Sequence, residues 1–249
     1  MQEVAVEGSS RAGWPPGRYR ETGSAFVMRS MTVVHDREAI YGETLHAKTW
    51  VRRFRRGIFS TRGIRIASDR GDIARRSQEW VHVHAEKDGE GILQLAAARA
   101  PASLSDAFPV VDLDPDSVPA MPALEAGEAD GTPAANTGFE FQVWHTWMDP
   151  LAHVNHPAYL DWADESVSRA MADAGMDPAE LVPVAEKVSY SKGMVAGESA
   201  WVRTRRVGRV SADQLVFDDE IGCGDTTCAT VRTVRRSAAG GFIQLLSST

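Results

Sequence analysis

The chain has 249 residues, 43% of them hydrophobic, and a formal net charge of −7, so it holds ample apolar side chain for a packed core. No apolar run approaches the roughly 20 residues of a membrane span, and the first residues lack the basic start and apolar stretch of a secretory signal, so a cytoplasmic protein with no membrane span is expected. The acidic balance, without an aromatic–basic stacking motif, argues against nucleic-acid binding.

In chain order, residues 1–12 have room only for the tail of a helix. Arg52, Arg53, Arg55, Arg56, Arg62 and Arg65 follow, in a first hundred residues holding 17 Lys and Arg against 12 Asp and Glu. They read either as a solvated strand face or as cations for the phosphates of a nucleotide-bearing ligand, with Arg52 and Arg53 the binding candidates. Alternating patterns predict strands over Lys48–Phe54, Ile58–Ile66, Ile73–His84 and Ile92–Ala98, separated by Gly- and Asp-containing turns. From Pro101 to Gly138 there is no basic residue and Pro, Ala, Gly and acid dominate, which is linker composition. The expected organisation is an N-terminal domain 1–100, a linker 101–138 and a C-terminal domain 139–249.

The C-terminal part begins with a predicted strand, Glu140–Trp147. A helix follows, with Tyr159, Trp162, Ala163, Ser166, Val167, Ala170, Met171 and Ala174 on one stripe. Asn155 or His156 is placed to cap it, Pro157 suits its first turn, and Gly175 with Pro178 ends it. Strands are then predicted over Ala200–Val207, Gln214–Ile221, Thr227–Arg235 and Phe242–Leu246. Cys223 and Cys228 match neither a CxxC pair nor a disulfide framework and read as free thiols in a turn and a strand. No metal site and no cofactor are expected from them.

The two halves repeat one another at an offset of 155. Gly42-Glu43-Thr44 meets Gly197-Glu198-Ser199, Thr49 meets Thr204, Ile66 meets Ile221 and Ala74 meets Ala229, a gap-free register that implies duplication. Strand, long helix and four antiparallel strands is the order of a hotdog fold, in which a sheet wraps a central helix. The fold class expected is therefore α+β, a double hotdog whose first repeat is incomplete at its N-terminus, since the partner of Asp149 would fall before residue 1.

The segment Asp149-Pro150-Leu151-Ala152-His153-Val154-Asn155-His156-Pro157-Ala158-Tyr159-Leu160-Asp161-Trp162 sets a carboxylate in a turn that runs directly into a helix. A carboxylate can attack a carbonyl or deprotonate a water, and the unpaired amides of a helix start can hold the oxyanion that develops. Asp149-Pro150, Val154, Pro157, Tyr159 and Trp162 resemble the pattern of the 4-hydroxybenzoyl-CoA thioesterase family. His153-Val154-Asn155 and Tyr159, Trp162, Glu165 and Ser166 are similar to plant acyl-carrier-protein thioesterases, themselves double hotdogs with the site in the second repeat.

The resemblance implies an acyl-CoA or acyl-carrier-protein thioesterase. Asp149 is then the catalytic carboxylate, the His156 amide polarises the thioester, and a hydrophobic groove between repeats holds the acyl chain. Departures from the plant pattern are Leu151, where those enzymes carry Asn, and Gly193, where they carry Glu, so a one-carboxylate mechanism is expected.

Each candidate also has a structural reading. Asp149 with Pro150 makes a common turn, Asn155 a cap, and His153 a packed turn histidine. Glu165, the carboxylate used by another branch of the family, stands four residues before Arg169 as in a surface ion pair. Tyr159 and Trp162 are core or acyl-pocket wall. Two other functions compete: a non-catalytic acyl-binding protein, and a hotdog hydratase or dehydratase. Such hydratases place a His five residues after the Asp, whereas His153 is four after Asp149. The sequence leaves a homodimer open.

Overall fold

The computed structural model describes residues 2–89, 93–111, 119–123 and 137–237, in two units, Met1–Ala120 and Met121–Thr249. In the first unit two helices, α1 (Gln2–Arg11) and α2 (Pro16–Glu21), precede β1 (Ser24–His35), β2 (His46–Arg55), β3 (Phe59–Ser68), β4 (Gly71–Lys87), β5 (Leu93–Ala97) and α3 (Ala102–Ala107). Its strands run in the order β2-β3-β4-β1, with β5 on β4. The second unit holds β6 (Thr137–Gln142), α4 (Ala158–Asp173), β7 (Leu181–Tyr190), β8 (Ser199–Ser211), β9 (Gln214–Cys223) and β10 (Thr226–Ser237). Their order is β7-β10-β9-β8-β6, and every ladder among these strands within each unit is antiparallel.

The sequence offset recurs in the pairing. β3 and β9 begin and end 155 positions apart, and the register His46↔Ala67 between β2 and β3 becomes Trp201↔Gly222 between β8 and β9. The bulges recur too: Val51/Arg53 and Arg206/Gly208, Ile66/Ala67 and Thr227/Ala229, Met28/Ser30 and Val234/Arg235. Bulges fix twist and side-chain facing, so each unit presents the same positions inward. The entry turns match as well. Gly42 and Gly197 have φ of 85° and 87°, and Glu43 and Glu198 each accept the amide three residues back, from Ile40 and Val195, at 3.0 and 2.8 Å.

What the inward positions hold differs. In the second unit α4 lies across β6, β8, β9 and β10 and buries Ala158, Tyr159, Trp162, Ala163, Ser166, Val167 and Met171. Full burial of each large side chain stabilises by about 1.5–3 kcal/mol. Phe217 packs there with Val167, Met171, Leu181 and Leu215. In the first unit Arg62 occupies the position matching Phe217. Buried, it donates to the Ala5 carbonyl of α1 at 2.9 Å and to Ser9 Oγ at 3.3 Å. Gln78, Arg76 and His82 are buried in the same unit, whose apolar cluster gathers Trp14, Val51, Ala100, Leu104 and Phe108.

The strand expected over Glu140–Trp147 stops at Gln142. Its partner β8 begins at Ser199, after the turn at Gly197, so only Thr137–Gln142 finds a ladder. His145–Trp147 instead forms a 3-10 turn. Two strands escaped the alternation pattern: β1 is interrupted by the bulge at Arg29, and β7 contains Pro183, tolerated at the bulge opposite Arg235. Residues 101–111, of linker composition, carry α3, whose Leu104 is fully buried. The predicted strand Phe242–Leu246 and most of the linker lie outside the described residues.

Candidate functional site

Between β6 and α4 the chain folds a tight turn around Asp149. The Asp149 amide donates to the His153 carbonyl at 2.8 Å, and the Ala152 amide to the Asp149 carbonyl at 3.0 Å. Asp149 Oδ1 accepts the amides of Leu151 at 2.8 Å and His153 at 3.3 Å. The turn requires Ala152 at φ 58°, the left-handed region that side chains seldom adopt. Asp149 Oδ2 takes no hydrogen bond among the described residues. One oxygen thus builds the turn.

The turn is fastened on both sides. Met148 and Val154 bridge its base, the Asn155 amide donates to the Trp147 carbonyl at 2.7 Å, and the Val154 amide donates to the Met194 carbonyl at 2.8 Å. The His153 ring lies over Gly193, where a Cβ would come within 2.6 Å of its Cδ2. Gly193 therefore leaves room for the His153 imidazole. Tyr190 Oη donates to the His156 carbonyl at 2.8 Å, and Tyr159 hydrogen-bonds the Met194 backbone, its phenol pushed up by burial. The end of β7 and the loop after it clamp the helix entry.

The N-cap of α4 is Pro157, which makes no side-chain capping bond, so the cap position falls at Pro157 rather than at Asn155 or His156. The Asn155 carbonyl accepts the Ala158 amide at 3.0 Å, and the Pro157 carbonyl accepts those of Leu160 and Asp161 at 2.9 and 3.3 Å. The positive end of the helix dipole is thereby set a few residues from the carboxylate. Tyr159 and Trp162 form an aromatic wall, with ring centroids 5.2 Å apart. Trp162 also meets Phe141 at 4.7 Å and Trp147 at 5.1 Å. Trp147 in turn stacks on Trp144 at 5.1 Å and 5°, leaving Trp144 63% exposed.

Asp149, His153, Asn155, His156, Tyr159 and Trp162 thus belong to one local assembly. Glu165 does not. It is exposed and paired with Arg169 at 2.7 Å, off the buried stripe, as in the surface ion pair expected. Arg52 and Arg53 lie on β2 of the first unit at its bulge. Of the arginines grouped with them, Arg55 sits over the Phe59 ring at 5.1 Å, Arg62 is buried, and Arg65 pairs with Asp72 at 2.6 Å. Among the described residues no cluster of three or more His, Cys, Asp or Glu is arranged to hold a metal.

Sequence reading missed a polar network under α4. Thr204 Oγ1 contacts Ser166 Oγ at 2.6 Å and hydrogen-bonds Asp219, while buried Arg235 reaches Asp164 at 2.7 Å. Burial pushes the Asp219 carboxyl up to about 7, and its Oδ2 has no partner among the described residues. Strand alternation could have found it, because Leu215, Phe217, Asp219 and Ile221 share one inward phase. A groove of about 660 Å³, lined by Gly138, Trp201, Arg203, Asp218 and Glu220, lies on the opposite face, where alternate side chains of β8 point away from α4. It is no part of the Asp149 site.

No protein-family model matches the chain, and no curated protein matches it in sequence. Solved structures do match in fold. One designated an oleoyl thioesterase from Lactobacillus plantarum aligns with 94% of this chain and 84% of its own, at 18% identity and a TM-score of 0.68. The 12:0-ACP thioesterase from Umbellularia californica aligns over 88% and 75%, at 16% identity and a TM-score of 0.64. An acyl-ACP thioesterase from Bacteroides thetaiotaomicron aligns over 93% and 85%, at 13% identity and a TM-score of 0.62. The chain therefore shares the hotdog fold of these proteins, a mostly antiparallel sheet with few helices. None of its helices is long and apolar enough to cross a membrane among the described residues.

Proposed function

We propose that the protein is a cytoplasmic acyl thioesterase, hydrolysing an acyl-CoA or acyl-carrier-protein thioester to a carboxylic acid and a thiol. The observation that carries this reading is the Asp149 carboxylate, held by its own turn amides and leaving Oδ2 open directly ahead of the N-terminus of α4, in a fold shared with acyl thioesterases. Asp149 Oδ2 takes the proton of a water that adds to the carbonyl, or itself adds to the carbonyl to form a mixed anhydride that a water then hydrolyses. The His156 amide, at the positive end of the helix, stabilises the oxyanion. The C–S bond breaks, the leaving thiolate takes up the proton given by the water, and Tyr159 and Trp162 wall the acyl group.

In this reading the chain is a double hotdog, with repeats at 1–100 and 139–249 joined by residues 101–138. The carboxylate stands in the second repeat. The polar interior around Arg62 fits a first repeat released from holding a substrate. A thiol-release assay over short, long and aromatic acyl-CoAs, and acyl-carrier proteins of matching chains, tests the proposal. Release from at least one class above the uncatalysed rate is expected, and none from any class refutes it. The amides on Asp149 Oδ1 favour a second reading, a non-catalytic acyl-binding protein. Saturable acyl-CoA binding without thiol release would select it.

A further inference from the structure

Cys223 and Cys228 meet behind the helix entry. Cys223 ends β9 at the tip of a hairpin, half-exposed, and Cys228 is the buried bulge residue of β10. Their sulfurs are 3.8 Å apart. The Cys228 carbonyl carries the loop that clamps the Asp149 turn. It accepts the amides of Ser191 at 2.8 Å and Lys192 at 3.2 Å and the Ser191 hydroxyl at 2.9 Å. Two residues further, Met194 holds Val154, and Gly193 seats the His153 ring. In the first unit the matching bulge carries Ile73 and the matching strand end Ser68, so the fold does not require a dithiol here. It stands only in the unit that carries Asp149.

We propose that Cys223 and Cys228 form a reversible oxidation site for hydroperoxides, whose closure to a disulfide displaces the loop at residues 191–194. The exposed Cys223, as thiolate, attacks a peroxide oxygen. The O–O bond breaks, hydroxide leaves and becomes water, and Cys223 is a sulfenic acid. The Cys228 sulfur then attacks the Cys223 sulfur, an S–S bond forms, the S–O bond breaks, and hydroxide departs with the Cys228 proton as a second water. The peroxide gains the two electrons that the thiols lose, and an external dithiol returns them.

Burial suits Cys228 to the resolving role, holding its thiol up at about 11 and unreactive until its partner is oxidised. Bonding brings the sulfurs from 3.8 Å to about 2.05 Å. Cys228 sits in close-packed surroundings, so a shift of roughly 1.8 Å is passed to its carbonyl and the loop it carries. The effect on turnover rests on the thioesterase reading; the disulfide and the loop displacement do not.

The test treats the full chain with hydrogen peroxide and follows three signals. Intact mass should fall by two hydrogens with loss of both free thiols. Trypsin should cleave after exposed Lys192 about fivefold faster or more. Thioester hydrolysis should drop, and dithiothreitol should reverse all three. Cys223→Ser, with untreated Lys192 cleavage like that of the parent, should show none of the changes. Oxygen gain without hydrogen loss, cross-linked dimers, or a disulfide that leaves Lys192 cleavage unchanged would each overturn the proposal. A disulfide that exposes Lys192 in a protein without thioesterase activity upholds this site and removes only the reading of Asp149.

Discussion

Substituting Gly193 by Ala perturbs the candidate site without touching a reacting group. Gly193 does not have a positive φ, so the effect of a methyl there is steric. The added Cβ would stand 2.6 Å from His153 Cδ2, 3.0 Å from Cγ and 3.3 Å from Nε2. Carbon contacts prefer about 3.5–4.0 Å, so the ring must move by about 1 Å. His153 cannot move alone, because its amide and carbonyl are two of the bonds that shape the turn around Asp149. Overpacking of this kind costs about 1–3 kcal/mol, a fall in Tm of roughly 2–10 °C at this chain length. A carboxylate misplaced by about 1 Å loses on the order of 100-fold in turnover. Thermal melts and thioester kinetics on Gly193→Ala measure both effects. Adding His153→Ala should recover most of the lost stability, since the methyl then fills the space left by the ring. A Gly193→Ala variant with parental Tm and turnover would refute the geometry of the turn.

Tyr190→Phe removes the hydrogen bond that orients the His156 carbonyl; a stability loss of about 0.5–1.5 kcal/mol, with a lower kcat and little change in KM, is expected from denaturant melts and steady-state kinetics. Glu165→Gln should keep turnover within about twofold and stability within about 0.5 kcal/mol, as for an exposed pair; a large kcat loss would return Glu165 to the site. Asp219 has a pKa near 7 in the fold against an ordinary value of 3.8, so the folded state binds its proton more tightly. Its contribution to stability is full below about 4 and is lost as pH rises towards 7, by up to about 4 kcal/mol. Asp219→Asn should flatten that slope in melts at pH 5 and pH 8, and an unchanged slope would place the titration elsewhere.

How far these features were legible in the chain follows from the range of the interactions behind them. The stripe of α4 is local, a period of three and four residues, and its buried face is close to the one expected. The offset of 155 could be read from a few identities because the strands and bulges it indexes are conserved in position between the units. Trp144 and Trp147 continued the strand pattern of β6, yet the sheet ends where its partner turns away at Gly197, a contact some fifty residues distant. β7 was hidden by Pro183 and by a bulge that breaks its alternation.

At the site, the motif picked out Asp149. It did not reveal that Oδ1 is spent on the turn, or that Gly193, noted as the loss of a glutamate, is the seat of His153. Asp219 lay concealed in the acidic run Asp218-Asp219-Glu220, where composition suggests solvent and only strand phase points inward.

The central claim is that Asp149 Oδ2 performs the chemistry while Oδ1 holds the turn. Asp149→Asn separates the two roles, because the amide oxygen can still accept the Leu151 and His153 amides, while the other position loses its basicity and its negative charge. The measurement is kcat and KM of Asp149→Asn on the best acyl thioester found, beside its melting temperature. The account predicts a loss in kcat of roughly 100- to 10,000-fold, with KM and Tm near the parental values. Parental kcat in a folded variant would contradict it.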